Sequence, residues 1–160
     1  MKSLFTVLSG LVVFCLMVSC SGDPEAWQAL TGYQNLKWGD PMPPSYIIKE
    51  TLQTTGSTLT VCARTGKEAK YGGVKYKELL LNFQDNQLVS YIYWKDLDDK
   101  SFGRTLKVLK RRYGDPDSFE PGDMAYWGDD LSTIILLNDV DDNKVMVQFW
   151  DTDAYWQMMR

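Results

Sequence analysis

The chain has 160 residues, with 17 basic side chains against 21 acidic ones, no histidine and a net charge of −4. A net acidic chain lacks the clustered cations that neutralise phosphates, which argues against nucleic acid as a partner. Without histidine, the Ser-His-Asp and Cys-His arrangements, the usual zinc sites and the commonest general base all fall away.

Lys2 is the only charge in residues 1–19, and residues 4–18 form an apolar run broken only by Thr6, Ser9 and Gly10. That run is shorter than the ~20 apolar residues of a spanning helix and ends in small residues, the layout of a secretory signal peptide. Cys15 lies inside it and is removed with it. The end of the run, "LMVSC", resembles the lipobox of bacterial lipoproteins, carried by Val18 and Ser19 before Cys20, with Met17 departing from the usual leucine. The resemblance implies cleavage before Cys20, acylation of Cys20 and attachment to a membrane through it. In a Gram-negative envelope Ser21 implies delivery to the outer membrane, with the domain facing the periplasm. The cysteine count by itself leaves a second arrangement open, a secreted chain with a Cys20–Cys62 disulfide. Residues 20–26 then read as the modified Cys and a tether, in which "SGDPEA" spans at most ~20 Å. Residues 27–160 read as one globular domain.

Within that domain "YIIKETLQ" (46–53) is a first, weak strand, and "STLTVCART" (57–65) alternates Leu59, Val61 and Ala63 against Thr58, Thr60, Cys62 and Arg64. A period of two predicts a strand with Cys62 on its polar side. "KYKELLLNFQDNQLVSYIYW" (75–94) predicts a hairpin turning at Asp85-Asn86. Folded there, Phe83 meets Leu88 and Leu79 meets Ile92. That register puts Leu79, Leu81, Phe83, Leu88, Ile92 and Trp94 on a core face, and Tyr76, Leu80, Tyr91 and Tyr93 on the other.

"SFGRTLKVLKRRYGDP" (101–116) predicts a helix capped by Ser101, with Phe102, Leu106, Leu109 and Tyr113 as its apolar stripe. Gly114 suits the left-handed position past its end, and Pro116 stops it. Residues 131–137 and 144–150 predict a second hairpin around the acidic loop "NDVDDN", and residues 151–160 a short terminal helix. "KWGDP" (37–41) and "RYGDP" (112–116) echo each other. The expected fold is α+β, an antiparallel sheet of about five to six strands with one long amphipathic helix on one face.

No motif carries catalysis. Gly72-Gly73 forms no phosphate cradle, "DVDDN" lacks the turn glycine and the twelfth-position Glu of a calcium loop, and Cys62 has no CxxC partner. The expectation is therefore a non-enzyme with no cofactor and no metal. Aromatics are the excess: six Trp, nine Tyr and six Phe. Tyr91, Tyr93, Tyr155 and Trp156 are the candidates for an exposed binding surface. Arg104, Lys107, Lys110, Arg111 and Arg112 make one helix basic in an acidic chain, with Arg104, Lys107 and Arg111 as candidate contacts to anionic lipid or an acidic partner.

The pieces "LKWGD", "LNFQDNQL" and helix–"YGDP"–"YWGDD" followed by a closing strand resemble those of small bacterial envelope proteins. More distantly, helix–Gly-x-Pro–strands is similar to the small lipoprotein of the outer-membrane β-barrel assembly machine and to β-lactamase-inhibitor-like domains. The resemblance implies no catalytic residue. The functional expectation is a membrane-anchored accessory or scaffold protein that binds another envelope component. The alternative is a module that binds glycan or peptidoglycan fragments through exposed aromatics.

Overall fold

Strands extend further along the chain than the sequence reading expects. The computed structural model describes residues 31–54, 56–63 and 69–160. Its strands are β1 (Gly32–Tyr33), β2 (Leu36–Lys37), β3 (Ile47–Thr54), β4 (Ser57–Ala63), β5 (Lys70–Tyr71), β6 (Val74–Lys75), β7 (Glu78–Gln84) and β8 (Gln87–Asp96). Helix α1 (Ser101–Tyr113) follows, then β9 (Ser118–Glu120), β10 (Met124–Gly128), β11 (Ser132–Asp139), β12 (Lys144–Asp151) and helix α2 (Thr152–Met158).

Strands make up 52% of this, and the main sheet has eight of them, so the expected α+β fold with one long helix is wrong. The protein is mostly β with two short helices. The extra strands are β9 and β10, whose sequence is too short and too mixed to show a period of two.

All eight strands run antiparallel in the order β3-β4-β7-β8-β12-β11-β10-β9. This is two four-stranded meanders joined along β8 and β12, and a half-turn about that seam exchanges their order. The repeated Gly-Asp-Pro marks equivalent places in the two halves. Gly39 and Gly114 take φ of 81° and 82°, each just after an aromatic (Trp38, Tyr113) and just before a meander. Both hairpins expected from sequence form: Asp85 and Asn86 take the positive φ of a tight turn, and β11 pairs with β12 across residues 140–143.

One face of the sheet carries the core. Helix α1, the β1–β2 hairpin and the β5–β6 hairpin lie over it, and a cluster of tyrosines sits between them among aliphatic side chains. Tyr91 stacks on Phe149 at 4.7 Å, and Tyr71, Tyr76 and Tyr93 pack around them. These rings carry hydroxyls that need partners inside. The Tyr71 and Tyr113 hydroxyls lie 2.9 Å apart, and Tyr76 reaches the Thr105 hydroxyl at 3.3 Å.

That requirement shapes the helix. Its deepest line is Ser101, Thr105 and Leu109, at spacings of four, while Phe102, Leu106 and Tyr113 flank it half-buried. The expected stripe shared only Leu109 with this line, because bulky rings from the sheet and hairpin leave room for small side chains. Close approach continues at Gly72, where an added Cβ would lie 2.1 Å from Val108 Cγ1. The helix start also differs from expectation. Ser101 is already helical, Lys100 takes the cap position without a side-chain cap bond, and Asp98 turns the chain into the helix by accepting from the Lys100 N–H at 2.9 Å.

Burial pushes the Tyr76 phenol up to about 12, and raises Tyr71 and Tyr91 well above the ordinary tyrosine range. In the unfolded chain a tyrosine ionises near ~10. Above that pH the unfolded state loses protons that the native core keeps, so stability is full below ~10 and falls as pH rises through the native values. A tyrosinate absorbance titration should therefore show three phenols held back until the protein unfolds. Titration of all phenols near ~10 with the fold intact would refute this packing.

Candidate docking face and its flanking groove

The second face of the sheet owes its composition to an irregularity between β7 and β8. Phe83 pairs with Leu88 as expected, but Asn82 pairs with Ser90, leaving Val89 as an extra residue. Beyond this bulge every side chain of β8 changes sides relative to the expected register. Leu79 meets Tyr93 instead of Ile92, and Ile92 meets Leu80. Asn82 Nδ2 donates to Ser90 Oγ at 2.8 Å, so the two buried polar groups created here satisfy one another.

Tyr91 and Tyr93, expected on an open face, are accordingly 2% and 3% exposed and belong to the core. Ile92 and Trp94, expected inside, point to the second face. Cys62 is also reversed from its expected polar side. It is fully buried, its Sγ donates to Met42 Sδ at 3.1 Å, and burial raises the thiol pKa, which suits packing rather than nucleophilic chemistry.

Among the described residues, only α2 covers the second face. Asp151 caps this helix by accepting from the Ala154 N–H at 2.9 Å, and Ala154 and Tyr155 pack on Val89, Ile135 and Trp150. The rest of the face is open. Val61, Leu80, Ile92, Trp94 and Met146 form an apolar band across β4, β7, β8 and β12, each half-buried, and Leu59 joins it to the cluster under α2.

Trp94 sits at the end of the band where β7 and β12 begin, paired with Glu78 and Met146, with Lys77 Nζ 4.9 Å and Lys144 Nζ 5.4 Å from its ring. The other tryptophans sort by their indole N–H. Trp38, Trp127 and Trp150 donate to Ser132 Oγ, the Gly114 carbonyl and Gln148 Oε1. Trp94 and Trp156 have no such partner among the described residues. Trp156 is 49% exposed on α2, beside Tyr155.

The expected site residues therefore do not converge. Tyr155 and Trp156 border the second face, Tyr91 and Tyr93 are inside, and Arg104, Lys107 and Arg111 are exposed on α1 across the sheet. Cys20, the signal segment 1–19 and the tether 20–26 lie outside the described residues. Sequence reasoning missed Trp94 and Met146 as surface residues. The available signal was the adjacent pair Leu88-Val89, a break in strict alternation, with Asn82 and Ser90 as matching polar residues.

A groove of about 330 Å³ runs between α2 and the β7–β8 turn, lined by Trp38, Gln84, Gln87, Gln157, Asp151 and Asp153. A second, of about 260 Å³, shares Trp38, Asp151 and Asp153 with it. Among the described residues, no group of three or more His, Cys, Asp or Glu side chains could hold a metal ion, and no helix is long and apolar enough to cross a membrane. The scan against family models, the search of curated proteins and the search of solved structures each returned no match.

Proposed function

We propose that this chain is a lipid-anchored, non-enzymatic accessory protein of the cell envelope that holds another envelope protein on the second face of its sheet. In this reading residues 1–19 are removed, Cys20 is acylated and the domain faces the periplasm from the outer membrane. The anchor is supported by the "LMVSCS" stretch. The docking role is supported by one observation above the others. An apolar band that ends at Trp94 stands half-exposed on a sheet whose opposite face carries the main buried core.

Such a face has the makings of a protein interface: a large aromatic anchor, adaptable methionine beside it and charged residues at the rim. Burial of Trp94 against a partner would remove apolar surface from water and leave its N–H free to bond across the contact.

Crosslinking and affinity purification from native membranes tests this with the wild type, Cys20→Ala and Trp94→Ala. A specific envelope protein should be recovered with the wild type and weakened about 30-fold or more by Trp94→Ala, the loss typical of an interface hot spot. Near-ultraviolet circular dichroism of Trp94→Ala checks that its core is intact. Equal recovery with Trp94→Ala would overturn the docking role, and full recovery from soluble fractions of the wild type would overturn the anchor.

A second reading, a glycan-binding module, draws on the groove beside Trp38. Amide and carboxylate side chains next to an indole form the kind of site that holds sugar hydroxyls over an aromatic surface. Titration of cell-wall fragments should then change the tryptophan fluorescence of the wild type but much less that of Trp38→Phe. A flat titration across fragments removes this reading.

A further inference from the structure

The outer side of α1 and the neighbouring β5–β6 hairpin concentrate positive charge. Arg104, Lys107, Lys110 and Arg111 are exposed along the helix at spacings of three and four, so like charges are neighbours. Lys70 and Lys75 are also exposed and stand directly opposite one another in the hairpin, which docks on the helix where Gly72 meets Val108. At the helical spacings like charges repel one another and weaken the folded state.

The helix dipole offsets this only in the last turn, at Lys110, Arg111 and Arg112, and does not reach Arg104 or Lys107. Lys110 has a partner in Asp115 at 2.7 Å, whereas Arg104, Lys107 and Arg111 form no ion pair among the described residues. Beside them an aromatic side chain is left in water. Phe119 on the edge strand β9 is 42% exposed, and Lys110 Nζ lies 6.0 Å from its ring.

We infer that this surface rests on the anionic headgroups of a lipid bilayer. An exposed basic patch spread over a helix and a hairpin suits many headgroups rather than one ligand. A phenyl ring at its margin suits the interface between headgroups and acyl chains. The choice of a membrane over another polyanion rests on the anchoring reading above, because a short tether would keep the patch within reach of the bilayer. With the α1 side on lipid, the Trp94 face across the sheet points away from the membrane and stays open to a partner. The domain would then have a fixed orientation.

The test is lysine acetylation of the full chain, read residue by residue by mass spectrometry, on vesicles of phosphatidylcholine alone and of phosphatidylcholine with phosphatidylglycerol. Lys70, Lys75, Lys107 and Lys110 should react about fivefold more slowly on the anionic vesicles, the effect expected for a lysine held at such a surface. Lys77 and Lys144, on the Trp94 side, should react equally on both. The protection should disappear in high salt, and should weaken at Lys107 in the Arg104→Gln/Arg111→Gln double variant. Equal rates at all six lysines on both vesicles, or uniform slowing that includes Lys77 and Lys144, would overturn the proposal. Flotation with the neutral vesicles reports the amino-terminal anchor separately, so failure of the anchor is distinguishable from failure of the patch.

Discussion

Strand β8 offers two residues, Val89 and Ser90, where β7 offers one, and the ladder closes again with Asn82 donating to the Ser90 hydroxyl at 2.8 Å. A side chain on a strand has only two directions available, so one added residue reverses all that follow. Beyond the bulge Tyr91 and Tyr93 turn inward and Ile92 and Trp94 outward. The aromatic core, the fit of α1 and the open band on the second face all depend on this reversal.

The consequence for the core is a cluster of tyrosines set among aliphatic side chains. Tyr91 and Tyr93 meet Tyr71, Tyr76 and Phe149, and their bulk sets how closely the helix can approach. Small residues at Ser101 and Thr105 answer that bulk, and Thr105 also satisfies the Tyr76 hydroxyl. A ring cluster with paired hydroxyls has fewer ways to repack than an aliphatic core, which favours one rigid arrangement. The two faces also divide the chemistry. Exposed cations gather on the α1 side, and exposed tryptophan on the other.

Much of the architecture was legible because it rests on local chemistry. The turns at Asp85-Asn86 and Gly114, the second hairpin and the terminal helix follow from positive-φ tolerance, alternation and capping, all of which act within a few residues. The face assignments were not legible. Alternation predicts sides only while the register is unbroken, and a bulge lies in the pairing of two strands, not in either one. For the same reason the tyrosines of β8 were put on the wrong side, whereas Cys62 lies on an unbroken strand and was misplaced because the apolar Leu59 and Val61 face the second face, not the core. The fold class failed differently: β9 and β10 are short, and their place in the sheet comes from pairing with β11 rather than from any pattern of their own. The candidate basic residues were read correctly as exposed because a helical face with several cations has nowhere else to go.

Hydroxyl-radical footprinting of the native full chain bears most directly on the reversal at Val89, because Tyr91, Tyr93 and Trp94 lie together on β8 and can be compared within one strand. Oxidation should fall on Trp94, with Tyr91 and Tyr93 protected until the protein is denatured. Modification of Tyr91 and Tyr93 in the native protein, with Trp94 protected, would place the core on the other face and contradict the account.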